Sequence, residues 1–323
     1  MKSPNSTRLA LALVTAFAQT LLTLSSVQAQ PAALCPECKA TAGLTLQSAL
    51  MQIQSDYYRA KAKANTFTDG ARRTGLTDAA LQSYRSGFKL SRDQYEARLL
   101  LCSSMNECRY DPVINPANFL KASEIPTHPN PYWPMVPGTT YHYKATSPDG
   151  SVETVEVEFT HETRTILGIE CIVVRDRVLA DGEISEQTTD YYAQDRAGNV
   201  WYFGEITAEY VNGEIATLQG TWEAGKDGAK PGYQMKGTLK VGDVYRQELL
   251  IGEAEDVGEI LGLNESITTA YATFKNCLKT KDTTPNTPAA LEHKYYAPGV
   301  GFVFQLKPKT GERLELISIE KNP

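Results

Sequence analysis

Within the sixteen residues from Asp190 to Glu205 the chain carries two separated carboxylates, Asp190 and Glu205, with Asp195, Asn199, Trp201 and Tyr202 between them. Two carboxylates flanking a cleft do acid–base work on a bound substrate, or offer oxygen ligands to a divalent cation. The stretch Asp195-Arg-Ala-Gly-Asn199 has instead the composition of a hairpin turn, in which Asp and Asn bond their own backbone. Two histidines extend the set. His161 is in frame with Val155, Val157 and Phe159, which places it on an inward face, and His293 stands between Glu292 and Lys294. If both met a carboxylate inside one sheet, a general base or a metal site would result. A lone inward histidine is more often a hydrogen-bonded structural residue.

Other chemical patterns fail on their own terms. Gly220-Thr-Trp-Glu-Ala-Gly-Lys-Asp227 approaches a phosphate-binding loop, but Asp227 stands where a magnesium-binding hydroxyl is needed and would repel phosphate. Ser86 and Lys89 match the Ser-x-x-Lys spacing of acyl-transfer enzymes without that chemistry's partner motifs. Neither Gly-x-Ser-x-Gly nor His-Glu-x-x-His occurs. With 32 Lys and Arg against 38 Asp and Glu, the net charge of -6 argues against an extended nucleic-acid surface. No metal and no cofactor is assigned.

Aromatic pairs are the remaining asset. Adjacent residues on a strand point to opposite faces, so Tyr191/Tyr192, Trp201/Tyr202 and Tyr295/Tyr296 each give one ring to either side. One face then forms core while the other meets a ligand. Asp190, Tyr192, Trp201, Glu205, Trp222, His161, His293 and Tyr295 are therefore the ligand-binding candidates.

The elements that must position them begin with an address. Lys2 and Arg8, an apolar run from Leu9 to Leu24, and small residues at Val27 and Ala29 read as a secretory signal over 1–29, with the mature chain starting at Gln30. No later apolar run is long enough for a transmembrane segment, and Cys35 follows Leu34, which does not suit a lipid anchor. The expected location is exported, periplasmic or extracellular.

In that compartment six cysteines suggest disulfides, although six allow 15 full pairings. Apolar residues Leu46, Leu50, Ile53, Tyr57, Ala60 and Ala64 form a helical seam over 42–64. Two glycines punctuate 65–75, and Thr77-Asp78 offers a cap for a second helix that continues through Leu81, Tyr84, Phe88, Tyr95, Leu99 and Cys102. Antiparallel packing of two such helices places Cys35 and Cys38 beside Cys108 and Cys102. The preferred pairing is Cys38 with Cys102 and Cys35 with Cys108. A redox Cys-x-x-Cys would want a preceding strand, and a zinc knuckle a closer second spacing, so structural bridges rank first. Cys171 and Cys277 sit early in two β-rich runs and are read as a bridge across one sheet, ahead of buried free thiols.

Seven prolines between Asp111 and Pro137 exclude a helix or central strand there, and with Phe119, Tyr132, Trp133 and Met135 the segment 111–138 reads as a linker lying on a domain surface. From 139 to 323 short alternating runs are separated by Asp149-Gly150, Asp181-Gly182 and Asn212-Gly213, each read as a two-residue hairpin turn. The spacing predicts ten to twelve strands, with a short helical turn at Glu253–Leu261. The fold class is α+β: an N-terminal disulfide-stapled antiparallel helical hairpin over 30–110, then a large curved antiparallel β-sheet or partly closed barrel.

Four ordered motifs in the β segment make a resemblance. Asp190-Tyr-Tyr-Ala-Gln-Asp195 running on to Gly198-Asn-Val-Trp-Tyr-Phe-Gly-Glu205, Gly220–Gly232, Gly252–Asp256 and Glu292–Gly301 together resemble a widespread bacterial family of exported β domains of unassigned function. The resemblance runs from about Asn130 to the C-terminus. It implies an exported β domain and carries over no catalytic residue. On these grounds the chain reads as an exported, non-enzymatic binding or envelope module. Its concave sheet would hold a small apolar or amphiphilic ligand, or an envelope protein as partner. The alternative is a metal-assisted or acid–base enzyme using the carboxylates and histidines of the β domain. A structural component associating through sheet edges is a third reading.

Overall fold

The computed structural model describes residues 34–321. The signal segment 1–29 lies outside the described residues. Among those described, no helix is long and apolar enough to cross a membrane.

Helix α1 spans Pro36–Ala64 and α2 spans Gly70–Met105, joined by five residues. The second helix starts well before Thr77-Asp78, because Asp69 is the cap: its carboxylate accepts a hydrogen bond from the Arg72 backbone N–H at 2.6 Å. Gly70 therefore opens the helix, and Gly75 is carried within it at a modest cost. Tyr57 meets Tyr84 with ring centroids 5.2 Å apart, and Gly87 lets the Ile53 side chain approach its backbone. Disulfides Cys35–Cys108 and Cys38–Cys102 staple the base of the pair, as antiparallel packing requires.

Past the hairpin, Pro116–Asn118 and Ala122–Thr127 form short 3-10 turns. Between and beyond them the chain lies against the sheet, burying Leu120, Ile125 and Met135, while Phe119 bridges to Asp195.

Among the described residues fifteen strands follow, more than the turn spacing predicts. They are β1 Thr139–Thr146, β2 Val152–Ile166, β3 Ile169–Ala180, β4 Glu183–Gln194, β5 Val200–Val211, β6 Glu214–Thr217, β7 Trp222–Glu223 and β8 Lys230–Met235. The remainder are β9 Val244–Arg246, β10 Glu248–Leu249, β11 Val257–Thr268, β12 Thr273–Thr283, β13 Glu292–Ala297, β14 Gly301–Leu306 and β15 Arg313–Lys321. The segment read as a short helical turn at 253–261 is mostly the start of β11.

Asp181-Gly182 and Asn212-Gly213 have positive φ at both positions and close two-residue turns. Asp149-Gly150 does not. There Ser147 N donates to Ser151 O and only Gly150 is left-handed, which makes a longer loop. An unrecognised two-residue turn joins β2 to β3 at Leu167-Gly168.

Neighbouring strands run antiparallel in the order β10-β8-β5-β4-β3-β2-β1-β15-β14-β13-β12-β11-β9, with β6 and β7 also on β5. The two ends of this order are adjacent in sequence: β9 pairs with β11, and two residues later β10 pairs with β8. One short segment thus supplies both margins, and the sheet curls into a nearly closed barrel. Gly232 is required at the join, where a Cβ would lie 2.5 Å from the backbone of Arg246 and Gln247.

Cys171 on β3 and Cys277 on β12 are free and buried. The expected bridge fails because five strands lie between them in the sheet. The sequence echo between the two runs therefore reflects two buried thiols and not a cross-link.

Candidate functional site

The barrel interior is not filled by its own side chains. A cavity of about 330 Å³ remains, at the lower end of the range for small-molecule sites. Its lining has two distinct halves.

The apolar half comes from β1, β2, β14 and β15 through Tyr141, Tyr143, Val155, Val157, Phe159, Phe302 and Leu314. Alternation explains the pattern: residues two apart on β1 and β2 share the inward face. Trp133, from the segment before β1, completes this half. Its position is set by Asn130, 2% exposed, whose Oδ1 accepts from the backbone N–H groups of Tyr132 and Trp133. Asn130 in turn donates to the carbonyls of Gly198 and Lys236. The Trp133 ring packs on Phe159, Tyr192 and Tyr296, and its indole N–H has no partner.

The other half is acidic. Asp176 projects from β3, Glu186 and Asp190 from β4, Glu205 from β5, Glu248 from β10, and Asp256 from just before β11. On β4 the inward residues Glu186, Thr188, Asp190 and Tyr192 follow strict alternation. On β5 Tyr202 and Glu205 are three apart, which a regular strand would set on opposite faces. The register slips here, Tyr191 opposing Gly204 and Tyr192 opposing Tyr202, so Phe203 is an extra residue and both side chains turn inward. Gly204 serves this bulge: its φ is 146°, and a Cβ would stand 2.5 Å from the carbonyl oxygen of Trp222.

Asp190 and Glu205 are register partners across β4 and β5, and the Tyr202 hydroxyl donates to Asp190 Oδ1 at 2.5 Å. The rings of Tyr192 and Tyr202 stack at 4.7 Å. Glu248 is 5% exposed and accepts from the Asp256 backbone N–H at 3.3 Å. Asp176 Oδ1 is shielded and has no hydrogen-bond partner. Trp222, 3% exposed, stands against Glu205 and Glu248 with its N–H outside hydrogen-bond geometry.

Burial and mutual repulsion act together on these acids. Burial, then neighbouring Glu205, raises Asp190 well above the ordinary carboxylate range. Burial, then Asp256 and Glu205, does the same for Glu248, and burial with Asp190 and Glu186 does so for Asp176. Glu186 is also raised, mainly by burial. Glu205 is raised to about 7 and Asp256 to about 6, each chiefly by burial. Burial disfavours the Lys294 ammonium, yet Asp282 at 3.0 Å and Glu292 at 3.4 Å outweigh it and keep it charged.

The sequence candidates divide. Asp190, Tyr192 and Glu205 line the cavity, and Trp222 stands behind Glu205. Trp201 is on the outer side of β5, buried under Phe119 and against Tyr233, and donates from Nε1 to Asp195 Oδ2 at 2.9 Å. Asp195 organises its own turn, accepting from the backbone N–H groups of Ala197 and Asn199. Tyr295 lies outside against Phe304, its neighbours Lys294 and Tyr296 pointing inward.

His161 is exposed, not inward. A register slip between Phe159 and Thr163 breaks the alternation just before it. His293 shares the outward face of β13 with Tyr295. Burial, then Lys279 and Lys281, depresses its pKa. The two histidines do not line the cavity. Among the described residues, no three carboxylate or histidine ligand atoms in the cavity lie within 4.8 Å of one another.

Asp176, Glu186, Glu248 and Asp256 were missed by sequence reasoning. The available signal was a carboxylate in frame with an inward apolar face, as Asp176 is with Ile172 and Val174.

No family model matches the chain, and no curated protein matches it. Two solved structures are similar to it. One is described as a "putative exported protein with YmcC-like fold" from Bacteroides fragilis, 15% identical, covering 58% of this chain and 97% of its own, with a TM-score of 0.35. The other is a "putative lipoprotein" from Parabacteroides distasonis, 14% identical, covering 58% and 98%, with a TM-score of 0.34.

Proposed function

We propose that the chain is an exported, non-enzymatic binding module whose barrel holds one small amphiphilic ligand. The carrying observation is the two-sided cavity, with an aromatic and aliphatic half facing an acidic half. Such a cavity removes the apolar part of a ligand from water, at about 25 cal/mol per Å², and leaves its polar part among groups able to bond it. The two disulfides suit an oxidising compartment outside the cytoplasm.

Titration of the purified protein with octyl-chain amphiphiles tests this reading through tryptophan emission. The expected result is a saturable one-to-one change that is lost in Val174→Phe, because Val174 lines the cavity and a larger ring fills it. Absence of a saturable change with every head group refutes the reading.

One observation favours acid–base catalysis as a second reading. Asp190 and Glu205 oppose each other across adjacent strands, and Glu205 is raised to about 7, where a carboxyl exchanges protons near neutral pH. The histidines have no part in it. Conversion of a bound octyl glycoside, abolished in Glu205→Gln, is its test.

A further inference from the structure

The acidic half of the cavity has no counter-charge of its own. Six carboxylates open onto it, while Lys294, the one Lys or Arg among its lining residues, is ion-paired with Asp282 and Glu292, which are not among them. At longer range Lys294 favours the ionised form of Asp256, and Lys307 that of Glu186. The other titratable groups facing the acids are the phenols of Tyr192 and Tyr202, with Tyr141, Tyr143 and Tyr296 farther round the wall, Glu153, Glu209 and Lys307 toward Glu186, and Asp282 and Glu292 toward Asp256. A buried acceptor, Asp176 Oδ1, is left without a donor.

We infer that the ligand is an organic cation, with an ammonium head among Asp190, Glu205, Glu248 and Asp256 and an apolar body against Trp133 and Phe159. The inference rests on the reading of the barrel as a container and specifies its occupant.

Several features converge on this chemistry. An ammonium brings three donors to a wall dominated by acceptors. It also gains from the stacked faces of Tyr192 and Tyr202. An anionic head would be repelled by every ionised carboxylate on that wall. A neutral polyol would leave the carboxylates to settle their repulsion by holding protons. A calcium ion needs six to eight oxygens drawn close, and among the described residues the acids do not offer even three within 4.8 Å of one another. The cavity of about 330 Å³ has room for the equivalent of about eleven waters at ~30 Å³ each, which suits an ammonium with a short apolar body.

Proton linkage follows. In the empty barrel burial and repulsion keep protons on several of the acids, and a bound cation favours their ionised forms. Binding therefore releases protons, and affinity rises with pH by about tenfold per pH unit for each proton released.

The test compares three probes that share one tail, octylammonium, octyl glucoside and octanoate, by calorimetry at low salt and pH 7. Octylammonium is expected to bind at least tenfold more tightly than octyl glucoside, with octanoate weakest. Its binding heat should vary with the ionisation heat of the buffer, reporting released protons, and its affinity should fall from pH 7 to pH 5. The double variant Asp190→Asn, Glu205→Gln should lose the preference for octylammonium over octyl glucoside. If that variant does not fold, the buffer dependence in the unaltered protein decides. Equal or tighter binding of octyl glucoside or octanoate overturns the cation while leaving the container intact. Calcium alone binding at micromolar concentration and displacing octylammonium also overturns it. If none of the three probes binds, the container reading itself fails.

Discussion

Replacing Glu205 with Gln should make the protein less sensitive to alkali. The Glu205 carboxyl is raised from 4.5 to about 7, chiefly by burial and also by Asp256 and Glu186. A group whose pKa is higher in the folded state holds a proton that the unfolded chain has already lost. Its contribution to stability is complete below 4.5, declines as pH rises, and is gone above about 7. At about 1.4 kcal/mol per pKa unit, the rise corresponds to a loss of about 3 kcal/mol on going from acid to pH 8. For a domain of this size that is roughly 6–12 °C in melting temperature. Gln has the shape of the protonated side chain and does not titrate, so the variant should show a flatter profile. It also relieves the repulsion on Glu248. Urea unfolding at pH 5, 6, 7 and 8 is the assay. That window leaves ordinary carboxylates ionised throughout, and the one opposing residue with a perturbed pKa, His293, is common to both proteins and drops out when their slopes are compared. Wild-type protein more stable at pH 8 than at pH 5, or equal slopes in the two proteins, would refute the reasoning.

Arg98→Ala should cost about 3–5 kcal/mol in urea unfolding, because Glu255, 2% exposed, loses its bidentate partner and is left charged and buried; a loss below 1 kcal/mol would show that the pair is wet. Gly232→Ala should destabilise by about 1–3 kcal/mol or more, since the backbone of Arg246 and Gln247 must retreat, and amide exchange should rise first across β8 to β10. An unchanged exchange pattern would contradict the close approach. A thiol reagent should label no cysteine in the native protein and two after unfolding without reductant, since Cys171 and Cys277 are buried and burial raises the Cys171 thiol. Finding no reactive thiol in the unfolded chain would restore the bridge between them.

Local rules made the hairpin readable. Its seam recurs every three or four residues, and antiparallel packing then dictates which cysteines meet. The β-turns at Asp181-Gly182 and Asn212-Gly213 were equally legible, because two successive left-handed residues leave little chemical choice. Leu167-Gly168 hid from the same rule, since leucine is an uncommon residue at positive φ. The site was only partly visible. Asp190 and Glu205 stood out because they are near each other in sequence, whereas Glu248 and Asp256 reach the same wall only when the far margin of the sheet comes round to β8. His161 misled for the opposite reason: four steps along β2 from Phe159 to Thr163 face only two along β3 from Val174 to Ile172, and His161 lies in the bulged stretch between, where alternation does not hold.

The segment joining the two margins lies directly beneath the stapled helices. Glu107, just past α2, holds Arg246 at 2.8 Å, and Arg98 within α2 holds Glu255, so one anchor sits at each end of the span whose inward carboxylates are Glu248 and Asp256. The cross-linked arm is thereby fastened to the stretch of chain where the two margins of the sheet come together. A tug on its far end would be transmitted through rigid coils to the few hydrogen bonds that keep the wall shut.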